Sequence, residues 1–183
     1  VRAERSVSRR VRQLSRIDLR RVPTEAMTVR ILSGREADTL AVEALERLAF
    51  PGGYRSMLRT GIGQRGVSSN AFAQNHLVGF ALATPPLSDE YTDWYLDTVA
   101  VLPGIQRRGL GSQLVSELCA YLATLGVDAV VARPLMGDGE ESRRRWLDRL
   151  GFSPAAELIP GELLVSGTLA ANPAKVARRG RGT

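Results

Sequence analysis

Apolar and polar positions fall into regular rhythms from Thr28 onward. Residues 28–32, TVRIL, are a short apolar run with the length of a strand. Ser33-Gly34-Arg35-Glu36 then matches the S-x-x-E capping box, in which a hydroxyl and a carboxylate satisfy the unpaired N–H groups of a helix start. Ala37, Leu40, Ala41, Ala44, Leu45 and Leu48 recur at helical spacing, an apolar face that Pro51 and Gly52 end. A shorter helical piece is predicted over Tyr54–Arg59 and closed by Gly61. Val67–Ala73 and Leu77–Thr84 read as strands joined by Gln74-Asn75-His76, with Pro85 and Pro86 stopping the second. A loop carrying Asp89, Glu90 and Asp93 leads to a strand over Trp94–Leu102. Gly109–Leu125 is a long helix with Leu110, Leu114, Leu118, Leu122 and Leu125 on one stripe, ended by Gly126. Val127–Ala132 is a buried strand, Glu141–Leu150 a helix capped by Gly151, and Phe152–Leu158 with Leu163–Leu169 close the chain as strands. This order predicts a mixed α/β sheet rather than a uniform series of βαβ units.

Composition adds exclusions. With 183 residues, 44% hydrophobic and 24% charged, the chain has the balance of one globular domain with a real core. No apolar run reaches the roughly 18 residues of a membrane span, no secretory start is visible, and the expected compartment is the cytoplasm. One cysteine, Cys119, and one histidine, His76, are too few for an internal disulfide or a typical zinc site. A Ser-His-Asp hydrolase would need His76 and a G-x-S-x-G elbow, which is absent.

The net charge of +6 is unevenly placed. Residues 1–21 hold eight arginines against Glu4 and Asp18; residues 172–183 hold Lys175, Arg178, Arg179 and Arg181 with no acid. The remaining 13 arginines face 17 acids, so residues 22–171 carry −4. A body gripping nucleic acid through phosphates needs the opposite sign, which leaves only the tails for such a role. Residues 1–26 are expected to be a solvated basic tail, disordered or weakly helical through Val7, Val11 and Leu14. Two other readings stay open: an extension upstream of a domain opening at Met27, and an Arg-rich transit segment. The folded domain is placed at residues 27–171, and residues 172–183 form a second basic tail.

One segment carries chemistry: Leu96–Gly111, LDTVAVLPGIQRRGLG, a strand, a basic glycine loop and the first turn of a helix. Amides at a helix start are unpaired and converge, and the helix dipole adds positive potential, so such a loop cradles phosphate. Glycines at 109 and 111 remove side chains where a ligand must touch backbone, while Arg107 and Arg108 add charge. Gly104–Gly109 fits the opening of a nucleoside-triphosphate loop, but Leu110 and Gly111 stand where Lys and Ser or Thr are required. A dinucleotide fingerprint fails at Leu114, and Ala129–Ala132 offer no acid for a ribose.

The segment resembles the acyl-CoA loop of the GNAT superfamily of N-acetyltransferases, Q/R-x-x-G-x-G/A after a strand ending in V-x-P: Val101-Leu102-Pro103, then Gln106-Arg107-Arg108-Gly109-Leu110-Gly111. Arg149-Leu150-Gly151-Phe152 is similar to that family's helix-to-strand ending, and the element order from Thr28 to Leu169 resembles its fold. The resemblance implies a single α/β (α+β) domain with a mixed, mostly antiparallel sheet of about seven strands, splayed between the fourth and fifth and flanked by about four helices. It implies an acyl-CoA-dependent N-acyltransferase using acetyl-CoA, or another acyl-CoA, by direct attack of an amine in a ternary complex. The amides of Gln106, Arg107, Arg108, Gly109, Leu110, Gly111 and Ser112 would take the diphosphate, and Val99, Ala100 and Val101 the pantetheine arm. A backbone N–H at Val99 or Ala100 would face the acyl oxygen.

An amine must lose a proton before it attacks, and Asp97, on the face of the strand shared with Val99, is the candidate base beside the bland reading of a structural aspartate. Glu90 and Asp93 are alternatives. The family's usual tyrosine acid is replaced by Leu147, leaving Tyr54, Tyr91 and Tyr95 as substitutes, and Glu140 stands near the place of a common asparagine. Cys119 reads as a small core residue, and Arg143, Arg144 and Arg145 read as a solvated face or as contacts for the CoA 3′-phosphate. Trp94 and Tyr95 either pack or line the acceptor pocket. The acceptor is expected to be a cationic small molecule or peptide; the sequence does not give the oligomeric state, although the fold that the segment resembles often pairs into homodimers. The competing reading is a non-catalytic acyl-CoA sensor.

Overall fold

The computed structural model describes residues 2–16, 22–23, 26–87, 93–132, 139–154 and 165–168. Seven strands occur among them: β1 (Thr28–Ser33), β2 (Val67–Ala73), β3 (His76–Thr84), β4 (Trp94–Val101), β5 (Ala129–Ala132), β6 (Ser153–Pro154) and β7 (Val165–Thr168), in the sheet order β1-β2-β3-β4-β5-β7-β6. The β1–β2, β2–β3, β5–β7 and β6–β7 ladders are antiparallel and β4–β5 is parallel. Helices are α1 (Arg2–Leu14), α2 (Thr39–Ala49), α3 (Gly61–Arg65), α4 (Leu110–Thr124) and α5 (Glu140–Arg149). The described residues thus hold five α-helices where about four were expected.

The chain divides into two compact units. One comprises residues 1–84 and 97–118, the other 85–96 and 119–183. In the first, β2 and β3 are joined by a two-residue turn, with Ala73 opposite His76 and left-handed backbone at Gln74 (φ 49°) and Asn75 (φ 64°). Two left-handed residues in succession give the turn whose twist matches its strands, and asparagine tolerates that conformation well. Helix α4, whose residues 110–118 belong to this unit and 119–124 to the second, buries Leu110, Leu114, Val115, Leu118 and Leu122. It ends in a Schellman motif: Gly126 has φ 80°, its N–H bonds Ala123 O, and Val127 N–H bonds Leu122 O. In the second unit Gly151 (φ 91°) ends α5 the same way, with Phe152 N–H on Leu147 O. That closure is the physical content of the Leu-Gly-Phe ending.

Several expectations need correction. The segment expected to be a solvated basic tail contains α1, which buries Val7 and Leu14 and packs on α2. Its Glu4 receives both Arg47 guanidinium nitrogens, at 2.8 and 3.0 Å, and Arg10 pairs with Asp38 at 2.8 Å. The capping-box residues do meet, Ser33 N–H and Oγ each lying 2.9 Å from Glu36 Oε2, but they close a turn. Helix α2 starts later, where Asp38 Oδ1 accepts from Leu40 N–H and Ala41 N–H. Gly61 opens α3 instead of closing a helix, and the helical piece predicted at Tyr54–Arg59 is reduced to a 3-10 turn, Met57–Arg59. Leu125 lies beyond the end of α4 and is exposed. The predicted strand ends at Leu158, Leu163 and Leu169 lie outside the described residues.

Candidate active site

Packing of α4 on the sheet fixes the place of the glycine loop. Gly79 on β3 makes room for it: a Cβ there would stand 3.1 Å from Leu114 Cδ1, 3.4 Å from Leu110 Cδ2 and 3.3 Å from the Ala100 carbonyl oxygen. From β2, the buried Ser69 hydroxyl donates to Leu114 O at 2.7 Å. The strand-to-helix connection is anchored by Leu102 N–H on Val78 O and by buried Ile105 in a 3-10 turn, Pro103–Ile105.

The loop then surfaces. Gln106, Arg107, Arg108 and Gly109 are exposed, Gly111 and Ser112 half-buried, and Leu110 is buried. Arg107 (φ 61°) and Gly109 (φ 83°) are both left-handed, and open space surrounds the position of a Gly109 Cβ. Left-handed residues flanking an ordinary one turn successive amides toward a common side, a geometry suited to anions. The first backbone bond closing α4 is Gln113 N–H to Gly109 O, so the Leu110 and Gly111 amides precede the helix ladder. Arg108 reaches Val22 O at 2.8 Å.

Strand β4 alternates the direction of its backbone groups. Leu102 N–H points to β3, hence so do those of Ala100 and Thr98, while Asp97, Val99 and Val101 present N–H and C=O to the opposite edge. Among the described residues the β4–β5 ladder covers only Trp94, Tyr95 and Leu96. Beyond it, two carbonyls of the outward edge are capped by side chains: Asp97 O accepts from the Tyr54 hydroxyl at 3.0 Å, and Val101 O from Gln106 Nε2 at 2.9 Å. Val99, between them, has no backbone hydrogen bond on that edge among the described residues.

Asp97 is half-buried. Its Oδ2 accepts from Met57 N–H at 3.0 Å and from the Thr98 hydroxyl at 2.8 Å; Oδ1 has no hydrogen bond among the described residues. The structural role and the candidate catalytic role of Asp97 therefore fall on different oxygens. The preceding amide, Ser56 N–H, goes to Glu46 Oε1 at 2.9 Å, so two carboxylates hold successive amides of one loop. Glu46 is 3% exposed, and burial pushes its carboxyl above the ordinary value against the opposing Ser56 hydrogen bond. Tyr54 packs edge-on to Phe50 with ring centroids 5.1 Å apart, and its hydroxyl lies 2.9 Å from Thr98 Oγ1. Burial raises the pKa of that hydroxyl, so it stays protonated.

Glu46 was not among the expected site residues. The only signal was an acid at i+4 from Val42 and adjacent to Leu45, inside the apolar arc of α2. Asp89, Glu90 and Tyr91 lie outside the described residues; Asp93, Trp94 and Tyr95 are half-buried. Leu147 is a buried side chain of α5 and supplies no proton. Arg144 and Arg145 pair along α5 with Glu140 and Glu141. Burial pushes the Cys119 thiol up to about 11, which removes the thiolate an acyl-enzyme would need. No group of His, Cys, Asp and Glu suited to a metal occurs among the described residues, and no helix there is long and apolar enough to cross a membrane.

The fold is shared with solved acetyltransferases. An aminoglycoside 6'-acetyltransferase type Ii is 20% identical with a TM-score of 0.63, over 80% of this chain and 99% of that one. An aminoglycoside 6'-N-acetyltransferase complexed with coenzyme A is 18% identical with a TM-score of 0.61, over 80% and 99%. The ribosomal-protein-S18-alanine N-acetyltransferase of Escherichia coli is 19% identical with a TM-score of 0.59, over 78% and 95%. At such identities the likeness is one of fold. No curated protein sequence matches the chain. The profile of the acetyltransferase (GNAT) family, however, matches residues 57–152, more than half of the sequence and inclusive of β4, the glycine loop and α4, and the chain belongs to that family.

Proposed function

We propose that the protein transfers an acetyl group from acetyl-CoA to a primary amine by direct attack in a ternary complex. The observation that carries this reading is a juxtaposition: one strand-loop-helix segment offers the Leu110 and Gly111 amides that open α4 behind left-handed Gly109, and, 11 and 12 residues earlier, the Val99 edge, which has no backbone hydrogen bond among the described residues. These residues fit the cofactor, because a diphosphate needs converging N–H donors without side chains in the way, and Gly109 leaves that space. When bound, acetyl-CoA supplies an acyl group activated as a thioester.

The chain's own residues do the rest. The amides of residues 106–112 would hold the diphosphate, with Arg107 adding charge. Val99, Ala100 and Val101 would line up the pantetheine arm along β4. Val99 N–H would donate to the acyl oxygen as negative charge builds there, a donor fixed before reaction. Asp97 Oδ1 would take the proton of an incoming ammonium, while Oδ2 keeps the carboxylate oriented. A cationic acceptor suits the −4 charge of residues 22–171 and the half-buried Asp93 and Asp97. It also suits relatives named for an aminoglycoside and for a ribosomal protein. Buried Leu147, in place of a proton donor, favours the second reading, an acyl-CoA sensor without turnover.

Calorimetry with coenzyme A, followed by thiol release from acetyl-CoA with aminoglycosides, polyamines and peptide amines, separates these readings. Heat of binding and release with at least one amine are expected, and Asp97→Asn should lower kcat/KM about a hundredfold with coenzyme A affinity retained. Binding without release under every amine supports the sensor. An absence of heat removes both.

A further inference from the structure

We propose that the outer face of α1 is a docking surface for the phosphate backbone of double-helical DNA, met without regard to base sequence. Arg5, Arg9, Arg12 and Arg16 follow one another at i, i+4, i+7 and i+11, so on a helix of 3.6 residues per turn they share an arc of about 60°. All four are exposed, and Arg16 stands in the turn that prolongs the helix, where Ser15 N–H still bonds Val11 O. Val7 and Leu14 hold the opposite, buried side. The carboxylates of α1, α2 and its cap are engaged elsewhere: Glu4 with Arg47, Asp38 with Arg10, Glu43 with Arg47 and Arg59, and buried Glu46 with the Ser56 amide. Among the described residues none of the four stripe arginines has an ion pair, while Arg10 on the flank of the same helix has one. A water-facing helix gains from acids placed one turn from its cations, and like charges at that spacing repel. This stripe holds only like charges, a repulsion that a polyanion relieves.

The dimensions and chemistry of the stripe select the polyanion. It is about 16 Å long at the rise of an α-helix, and a DNA duplex carries one charge per roughly 1.7 Å of axis, so about ten phosphates lie alongside. An interfacial membrane helix buries an apolar face among lipid head groups, and that face of α1 is already packed on α2. A protein partner needs apolar side chains at the centre of the contact, and the arc holds only arginine. Single strands are held by stacking on aromatic rings, and residues 2–16 contain none. Guanidinium groups donate and cannot accept, which suits phosphate oxygens and gives the ribose hydroxyls of an RNA duplex no acceptor. With α2 on its inner side, α1 cannot sink into a major groove, so the arginines meet backbone and not base edges. Residues 22–171, at −4, repel the same duplex and leave the contact to the basic segments.

Fluorescence anisotropy of a labelled random-sequence DNA duplex of about 20 base pairs, titrated with the full chain between about 50 and 200 mM salt, reads this contact without acetyl-CoA or turnover. Each neutralised phosphate adds about −0.9 to the slope of log K against log salt. Arg5→Gln, Arg9→Gln, Arg12→Gln and Arg16→Gln together should therefore flatten the slope by about 3–4 and weaken binding at least about a hundredfold at the low-salt end. The unfolding temperature should stay within about 2 °C, since the positions are exposed and glutamine matches arginine in helix propensity. A second variant keeps the net charge and moves two arginines to the sides of the helix, Arg9→Ser with Ser15→Arg and Arg12→Gln with Gln13→Arg; its slope should flatten by about 2. A native slope in that variant would show that net charge alone attracts DNA, and overturns the proposal. No binding by the native chain overturns it too, as does tighter binding of an RNA duplex, of a single strand or of phosphatidylserine vesicles. A native slope in the fourfold variant, with the slope lost instead in Lys175→Gln, Arg178→Gln, Arg179→Gln and Arg181→Gln, assigns the contact to the other basic segment and overturns it as well. Coenzyme A binding should be native in every variant, so the acetyl-transfer reading and DNA docking stand or fall separately.

Discussion

Glu46 faces two opposed demands. Its charged form is favoured by the Ser56 N–H and by Arg55, and disfavoured by burial and by the charge of Asp97, with burial the largest effect. The folded carboxyl therefore titrates above 4.5, the value assigned to an unperturbed glutamate, and in that window the folded chain holds a proton that the unfolded chain has released. Stability from this group is present below the unfolded value and is lost as pH rises through the folded one. Glu46→Gln keeps an oxygen for the Ser56 amide and removes the buried charge. It should raise the unfolding temperature by a few degrees near pH 7, with the gain shrinking to nothing near pH 4. Calorimetric unfolding of both proteins across that range measures it. A constant gap at every pH would show that the carboxyl carries no titration-linked penalty.

Elements were legible where their causes are local. The stripe of α4 and the Gly126 and Gly151 terminators follow from spacing and from backbone conformations that few residues adopt; the hairpin was legible too, but its turn was read one residue too long, since His76 belongs to β3 opposite Ala73. The glycine loop was readable for the same reason, since Gly109 at φ 83° answers a requirement stated by its neighbours. What escaped was long-range. Tyr54 meets β4 across 43 positions, and Glu46 matters through a loop ten residues away. The Ser33–Glu36 box was found in sequence and forms in space, yet Asp38 captured the helix start with two amides of its own. Placement of α4 is likewise set at a distance, by Gly79. Gly79→Val would press on Leu114 and on the Ala100 carbonyl, and backbone yields less readily than a leucine end. The helix start should shift outward, with a stability loss of about 1–3 kcal/mol from overpacking. Coenzyme A affinity should fall at least tenfold. Ser69→Ala is the contrast: it removes one buried bond to Leu114 O, costs about 1 kcal/mol and should leave affinity within about threefold. Equal affinity losses in both variants would show that global stability, and not helix placement, governs the site.

At the scale of the whole chain, charge and structure part company. The arginine-rich start looks from composition like a polyelectrolyte, but α1 turns Val7 and Leu14 inward and leaves Arg5, Arg9, Arg12 and Arg16 in water. Glu4 and Arg10 pair with Arg47 and Asp38 at the surface, where ion pairs contribute little and salt screens them. Attachment of α1 therefore rests on its apolar face. Val7 is 1% exposed, and Val7→Asp would bury an unpaired carboxylate or eject the helix, at a cost of about 3 kcal/mol, which in a chain of this size lowers the unfolding temperature by roughly 10 °C. Glu4→Gln should lower it by less than about 2 °C, and 0.5 M salt should erase even that difference. Coenzyme A binding should survive in both variants, because the glycine loop is positioned by β2, β3 and β4 and makes none of these contacts. Thermal unfolding at low and high salt, run beside calorimetry, gives all three readings. A large salt-sensitive loss in Glu4→Gln with a small one in Val7→Asp would reverse the assignment and make α1 an electrostatic attachment after all.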